Sequence, residues 1–278
     1  MSLTIFFAVL FAAFLHASWN ALIKLGGSRL SGMVILTVAQ ALVSLPFILS
    51  SPLPVSAAWP WLIASGVFHS AYKLFLAYAY DHGDLSRVYP IARGAAPLMV
   101  AVVSFAFLPD VLTGLEAFAI LLLGFGILMM SRGVISDAEN IRLVPLALGS
   151  AMATAGYSIV DGMGARASGD PLLYVAWLFV LDVIFFSLTC LAIKGRSVFI
   201  TPRRDWLVGG LAGLASYGAY AIAVWAMTKA PIALVAALRE TSILFAVLFG
   251  WLFFSEKMNR RKLSAALFVV CGLILTRV

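Results

Sequence analysis

The chain has 278 residues, of which 63% are hydrophobic and 11% charged, with a formal net charge of +7 and a mean hydropathy of +1.05. Soluble domains carry roughly 25% charged residues, so this composition excludes a soluble protein and predicts that lipid is the solvent. Most basic residues lie in short segments between apolar runs, as in cytoplasmic membrane loops, and we expect no nucleic acid as a partner.

The apolar runs predict an all-α integral membrane protein with ten transmembrane helices. Strands of a membrane barrel would alternate polar and apolar residues, and these runs do not. The first run lacks both a basic leader and a cleavage site followed by polar chain, so we expect a retained span and not a signal peptide. The predicted spans are about 3–25, 31–50, 58–80, 86–108, 112–131, 142–161, 171–193, 206–228, 231–253 and 261–277.

The first span carries a polar stripe. His16, Asn20 and Lys24 recur at every fourth position, so they share one helical face, and Trp19 lies beside them. The stripe either joins two helices, with Lys24 reaching the interface, or lines a solute cavity. For Asn20 the cavity is favoured, and His16, Trp19 and Asn20 are predicted to bind substrate.

The third span carries His69 and Lys73 one helical turn apart, with Tyr72 adjacent, and all three are predicted to bind substrate. Lys73 is too central to reach the interface, so it needs water, a carboxylate or a substrate. It could exchange a proton as an anionic substrate enters, which leaves protons open as a coupling ion. The alternative is a permanent ion pair with Asp182 or Glu240.

The fourth and ninth spans carry arginines. Arg93 and the adjacent pair Arg239 and Glu240 are predicted substrate-binding residues. Neighbours on a helix point about 100° apart, so Arg239 and Glu240 are not expected to bond each other. Together with Lys73 these arginines outnumber Glu240 and Asp182, the latter expected as a structural counter-ion. An excess of buried positive charge favours an anionic or zwitterionic substrate.

The two halves of the chain repeat. Residues from the fourth span onward match the second half at a shift of 146 positions, pairing Arg93 with Arg239, Asp110 with Glu256 and Gly126 with Gly272. An odd number of spans per repeat inverts the second copy, as in many secondary transporters. The sequence therefore predicts two inverted five-helix repeats, 1–135 and 136–278.

Two carboxylates stand at span ends. Asp110 and Glu256 each precede a span, and we expect them to stabilise the N-terminus of the helix that follows. Thr113 and Glu116 have the spacing of a capping box, which predicts the start of the fifth span.

Basic residues in the loops predict orientation. One side of the membrane receives 13 of them and the other receives three, namely Arg166, Lys229 and Arg277. The richer side is expected to be cytoplasmic, which places both termini outside.

The stretch His16-Ala-Ser-Trp-Asn20-x-x-x-Lys24, the repeat and the paired helix ends Phe-Leu-Pro-Asp110 and Phe-Phe-Ser-Glu256 resemble the EamA-type branch of the drug/metabolite transporter superfamily. The resemblance covers nearly the whole chain. It implies a ten-helix basket, a cavity lined mainly by spans 1, 3, 4, 6, 8 and 9, and alternating access.

The resemblance does not identify the substrate, because members of the family carry amino acids, nucleotide-sugars, choline and other metabolites. Family members commonly have cytoplasmic termini, whereas the loop charges here predict the reverse. Small multidrug exporters of the same superfamily use a glutamate in span 1, and its absence here argues against their chemistry.

We therefore expect a secondary transporter, and not an enzyme, that moves a small polar metabolite across the cell inner membrane as a monomer or weak dimer. A channel or lipid flippase is the first alternative. A membrane-embedded enzyme acting on lipid head groups is the second, but His16, His69 and His82 lie at different depths and show no metal spacing. No metal or cofactor is expected, and without a nucleotide-binding loop ATP drive is not expected either.

Overall fold

The computed structural model describes residues 1–24, 26, 28–80, 85–129, 143–253 and 260–277. All regular structure within these ranges is helical, so the all-α prediction is confirmed there. Short 3₁₀ turns occupy Ser56–Ala58 and Gly195–Phe199. The α-helices are α1 (Leu3–Lys24), α2 (Arg29–Leu49), α3 (Trp59–Tyr80), α4 (Leu85–Phe107), α5 (Gly114–Met129), α6 (Leu143–Ser168), α7 (Pro171–Lys194), α8 (Arg203–Met227), α9 (Ile232–Arg239), α10 (Ser242–Phe253) and α11 (Arg260–Leu275).

Each predicted span coincides with one helix, except the ninth, which is divided into α9 and α10. Six segments among the described residues are long and apolar enough to cross a membrane: Leu3–Ile23, Leu30–Leu49, Leu143–Ser168, Pro171–Phe199, Arg203–Met227 and Ile232–Phe253. Shorter apolar helices are Ile91–Phe107, Gly114–Met129 and Leu263–Leu275. The chain is therefore a multi-pass membrane protein, while the count of ten crossings stays a prediction.

Helix starts follow from local hydrogen bonds that satisfy the first free N–H groups. The Thr113 N–H donates to Glu116 Oε2 at 2.9 Å, and the Glu116 N–H donates to Thr113 Oγ1 at 3.2 Å. This is the predicted capping box, and α5 begins at the next residue, Gly114. At the start of α7, Asp170 accepts the N–H groups of Leu172 and Leu173, each at 3.0 Å.

The division between α9 and α10 lies inside an apolar segment. The N–H of Glu240 donates to the Ala237 carbonyl and that of Thr241 to the Leu238 carbonyl, both at 3.1 Å. These are three-residue bonds, which tighten the last turn of a helix and change the direction of its side chains. The buried end of α9 therefore places Arg239 in the protein interior.

The packing between the two halves is reciprocal. Helix α3 packs against α6 while α1 packs against α8, α2 packs against α7, and α5 packs against α11. Two glycines allow the last of these contacts. A Cβ on Gly126 would lie 3.0 Å from the Val269 nitrogen of α11, and one on Gly272 would lie 3.0 Å from the Leu123 nitrogen of α5.

The two ends of the described chain meet. Arg277 Nη1 donates to the Met1 carbonyl at 2.7 Å. Met1 also packs into an apolar cluster with Leu108, Ala230 and Ile232, which places the α4–α5 and α8–α9 connections at the same end of the molecule. We call this the termini end. A close approach of first and last residues requires an even number of crossings.

Close contact between α8 and α2 depends on Gly213. A Cβ there would lie 2.5 Å from Ala39 Cβ and 2.9 Å from the Leu36 carbonyl oxygen, and backbone cannot yield as a side chain can. We expect Gly213→Ala to lower the free energy of unfolding by about 1–3 kcal/mol. Gly210→Ala on the same helix is the control, because a Cβ there meets nothing within 4 Å. Thermal unfolding of purified protein in detergent measures both, and equal stabilities would contradict the predicted contact.

Candidate functional site

A narrow cavity of about 40 Å³, lined by charged, aromatic and aliphatic side chains, lies between the halves. It is lined by side chains from α1, α2, α3, α6, α7, α8 and α9, namely His16, Trp19, Met33, Leu36, Gln40, His69, Tyr72, Lys73, Tyr157, Phe179, Asp182, Ser216, Tyr220 and Arg239. Since one water occupies roughly 10–15 Å³ by this measure, the cavity holds only a few waters. The described conformation is therefore contracted around the site.

The structure brings most of the sequence-predicted site residues together. Six of the nine line the cavity: His16, Trp19, His69, Tyr72, Lys73 and Arg239. Arg93 and Glu240 are buried behind Arg239. Asn20 donates from Nδ2 to the His16 carbonyl of its own helix at 2.8 Å and does not line the cavity.

The helices around the cavity differ in part from those implied by the resemblance. Both α2 and α7 contribute lining residues, whereas no described side chain of α4 does. Arg93 of α4 instead contacts Glu240.

Lys73 is held by a carboxylate. Its Nζ donates to Asp182 Oδ2 and to Thr37 Oγ1, the latter at 3.1 Å, and lies 4.8 Å from the ring centroid of Phe186. Lys73 is 4% exposed and Asp182 is fully buried. This is the ion pair that the sequence left open as the alternative to a proton-exchanging lysine.

Glu240 joins the two arginines. Its Oε2 lies 3.2 Å from Arg93 Nε, and its Oε1 accepts from Arg239 Nη2 at 3.5 Å. The expectation that Arg239 and Glu240 would not bond is therefore wrong, because the helix ends between them. Arg239 Nη2 also donates to the Tyr157 hydroxyl at 3.3 Å.

One carboxylate was missed from sequence. Asp161 of α6 is fully buried and accepts from the Tyr174 hydroxyl at 3.1 Å and from the Tyr220 hydroxyl, while His69 Nε2 lies 3.1 Å from its Oδ2. An aspartate inside an apolar run is a signal that the sequence contained. With Asp161 included, three buried carboxylates balance three buried cations among the described residues, so the predicted excess of positive charge is wrong there.

The other missed residues had no such signal. Gln40 donates to Ser216 Oγ at 3.0 Å across α2 and α8, and Phe179 and Tyr220 supply aromatic walls. Small polar and aromatic residues occur on every face of these spans, so a pattern alone does not select the ones that line a cavity.

A second polar cluster lies at the termini end, beside a hollow of about 450 Å³ that Arg166 also lines. Arg166 of α6 forms two hydrogen bonds with the Asp110 carboxylate, at 2.7 and 3.1 Å, and a third from Nε to the Met227 carbonyl at 2.9 Å. Asp110 also accepts the N–H of Ile232 at 2.8 Å. We call this the Asp110–Arg166 lock. Asp110 thus serves the N-terminus of α9 and not that of the following helix α5, which corrects the prediction, while Glu256 lies outside the described residues.

The opposite end carries an open hollow of about 690 Å³. Its lining includes Leu74, the residue after Lys73 on α3, and Cys190, two helical turns after Asp182 on α7. Other lining residues include Ser28, Ser31, Ala77, Tyr78, Lys194, Thr201 and Asp205. We call this hollow the vestibule. The Lys73–Asp182 pair lies between the vestibule and the cavity.

A multi-pass helical protein with a charged cavity between two halves has the construction of a membrane solute transporter. The model of the EamA-like transporter family matches residues 142–278. This match, over just under half of the chain, confirms the resemblance to the EamA-type branch of the drug/metabolite transporter superfamily that the sequence indicated.

The fold has solved counterparts. One crystal structure matches with a TM-score of 0.77 at 15% sequence identity, over 99% of this chain and 97% of that chain. At this identity the match shows the fold alone. No curated protein matches the sequence.

Proposed function

We propose that the protein is a secondary transporter that carries a small polar metabolite through the cavity by alternating access. The observation that carries the proposal is the cavity itself: charged walls, almost no free volume, and lining residues from both halves of the chain. The family match supports transport, and the charged residues of the lining support a polar solute.

The solute is proposed to carry an anionic group, alone or as part of a zwitterion. Lys73 contacts Asp182, and Arg93 and Arg239 both contact Glu240. Arg239 lines the cavity, and its Nε has no hydrogen-bond partner in the described part of the chain. A guanidinium with an unused donor suits a carboxylate or phosphate oxygen.

The proposed architecture is ten crossings in two inverted repeats. Reciprocal packing of α3 with α6 and α1 with α8 is the pattern that an approximate two-fold axis in the membrane plane would give. The interrupted α9–α10 segment at the cavity adds support, because broken helices near mid-membrane commonly form the binding sites of transporters.

Alternating access is supported by the difference between the two ends. At the termini end the Asp110–Arg166 lock ties α6 to the connections α4–α5 and α8–α9, and the hollow of about 450 Å³ beside it shares no lining residue with the cavity. At the other end the vestibule reaches the residue next to Lys73. The loop charges assign the vestibule to the cytoplasmic side, so we propose that the described conformation is closed to the outside. A solute larger than a few waters needs the helices to part before it enters.

The first experiment is a thermal-shift screen of purified protein against polar metabolites. A ligand at 100 times its Kd stabilises the folded state by about 2.7 kcal/mol. Hits are then tested for uptake and counterflow in liposomes. Saturable uptake with counterflow is expected of a carrier, whereas unsaturable flux without counterflow indicates a channel and overturns the proposal.

Cavity filling tests the site. Ser216 is 8% exposed and lines the cavity, so the larger side chain of Ser216→Leu would occupy the cavity, and we expect ligand stabilisation and uptake to be lost. Leu214→Phe is the control on the same helix, since Leu214 is 54% exposed on the outer surface. Both variants are compared by thermal shift with the hit ligand. Retained binding in Ser216→Leu would place the site elsewhere.

A further inference from the structure

We propose that His69 and Asp161 together bind the coupling proton of this transporter, an inference that rests on the proposed function. The proton would be held at the His69 ring, in contact with the Asp161 carboxylate, and exchanged with water in the cavity. This moves the coupling role from Lys73, which the structure pairs with Asp182, to the neighbouring turn of the same helix.

The geometry around Asp161 favours a charged carboxylate. A carboxylate only accepts hydrogen bonds, and Asp161 faces three potential donors: the hydroxyls of Tyr174 and Tyr220 and the Nε2 of His69. Desolvating a carboxylate is costly unless its oxygens are hydrogen-bonded, and here both are. His69 therefore faces a fixed negative charge with which an imidazolium would form an ion pair.

The second described histidine has the opposite surroundings. Nδ1 of His16 accepts the indole N–H of Trp19 at 3.2 Å, which requires an unprotonated nitrogen. Both His16 and His69 line the cavity and both are buried, at 9% and 5% exposure. They differ in that only His69 contacts a carboxylate, so His16 is a matched internal control.

Every helix packed around Asp161 contributes a group that bears on its charge. The groups are His69 and Lys73 from α3, Arg93 from α4, Tyr157 from α6, whose ring stacks on that of His69, Tyr174 and Asp182 from α7, Tyr220 from α8, and Arg239 and Glu240 from α9. Lys73 and Asp182 cancel. Arg93, Arg239 and Glu240 leave one positive charge, which Asp161 balances while His69 is neutral.

A proton on His69 therefore changes the buried site from neutral to singly positive. The positive site suits an anionic group of the solute, so proton and anion would bind together and cross as a neutral pair. Tyr220 connects the two regions, because its hydroxyl donates to Asp161 and its ring lies 5.7 Å from the Arg239 guanidinium carbon. The step forms one N–H bond from a hydronium ion, leaves a water, and reverses on the other side of the membrane.

The test uses nuclear magnetic resonance of the ring nitrogens in full-length protein in lipid, with isotopic label only in histidine. The chain has three histidines, so His16→Gln and His82→Gln assign the signals. Between roughly pH 5 and 8, we expect His69 to gain the imidazolium signal while His16 stays neutral. If His69 of the wild-type protein stays neutral over this whole pH range, the proposal is wrong. This test needs no variant of His69 or Asp161, so misfolding of such a variant cannot obscure it.

Asp161→Asn and Asp182→Asn separate the two carboxylates. The imidazolium signal of His69 should be lost in Asp161→Asn and kept in Asp182→Asn. If it survives in Asp161→Asn, the pair is not the proton site. Tyr174→Phe, which keeps the carboxylate, should retain the signal; its loss there would assign the effect to distortion and overturn the specific role of Asp161.

Transport is measured separately with a hit from the thermal-shift screen and a pH-sensitive dye inside the liposomes. In His69→Gln, uptake driven by a pH gradient should fall far more than counterflow, whereas in His16→Gln the two rates should change by the same factor. If the protein takes up solute while His69 stays neutral, the inference about the proton site is wrong, but the proposed transport function stands. A titrating His69 without movement of any tested solute counts against the proposed function instead.

Discussion

Replacing Lys73 with methionine is expected to lower the free energy of unfolding by about 3–5 kcal/mol, because Asp182 would remain buried without its cation. Lys73→Met keeps the length of the side chain and its contact with Phe186, so the lost interaction is chiefly the ion pair. Chemical unfolding in mixed micelles measures the change. Lys194→Met is the control, since Lys194 is exposed at the end of α7 and its loss should cost no more than about 0.5 kcal/mol.

A double variant measures what the Lys73–Asp182 ion pair contributes to the free energy of unfolding. Lys73→Met with Asp182→Leu removes both charges, and replacing a buried ion pair by apolar residues is often neutral or stabilising. We therefore expect most of the lost stability to return. If Lys73→Met alone is as stable as the wild type, Lys73 is not the cation that Asp182 needs, and the proton-exchanging lysine becomes the better hypothesis.

Breaking the Asp110–Arg166 lock is expected to open the cavity toward the termini end. Arg166→Ala removes the contacts of α6 with Asp110 and with the Met227 carbonyl. A charge-assisted hydrogen bond contributes about 1.5–3 kcal/mol, so losing one shifts a two-state equilibrium by about tenfold or more. We expect at least that increase in the rate at which a cavity cysteine reacts with an impermeant thiol reagent.

The labelling uses Phe179→Cys in a background without Cys190 and Cys271, in intact cells. Lys229→Ala is the control, because Lys229 is an exposed cation at the same end without a place in the lock. Faster labelling in Arg166→Ala but not in Lys229→Ala supports both the lock and an external termini end. Equal rates in all three proteins would contradict the combination of a lock and an external termini end.

The fold class was accessible from sequence because lipid imposes simple rules. Inside lipid, these apolar runs satisfy their backbone hydrogen bonds by forming helices. The lengths of the runs and the short loops between them therefore predicted nearly every helix. Sequence patterns that depend only on neighbouring residues were equally reliable, and the capping box of Thr113 and Glu116 is the example. The match to the EamA-like family agrees with the resemblance that the polar stripe and paired helix ends indicated.

The candidate site was accessible in part. Charged residues are rare inside a membrane and therefore stand out, so Lys73, Arg93, Arg239 and Glu240 could be selected individually. The same rule would have selected Asp161. Lining residues such as Ser216 could not be selected, because nothing distinguishes the cavity side of a helix that is apolar or small all round.

The tertiary structure alone decided which charged side chains pair with each other. Lys73 could have paired with Asp182 or with Glu240, and only the packing of α3 against α7 assigned it to Asp182. Asp110 precedes α5 in the chain yet bonds the start of α9, since the termini end brings these helices together. Composition and spacing determine which charges lie in the membrane, but ion pairs depend on distances of a few ångströms between segments remote in sequence, and those distances exist only once the helices have packed.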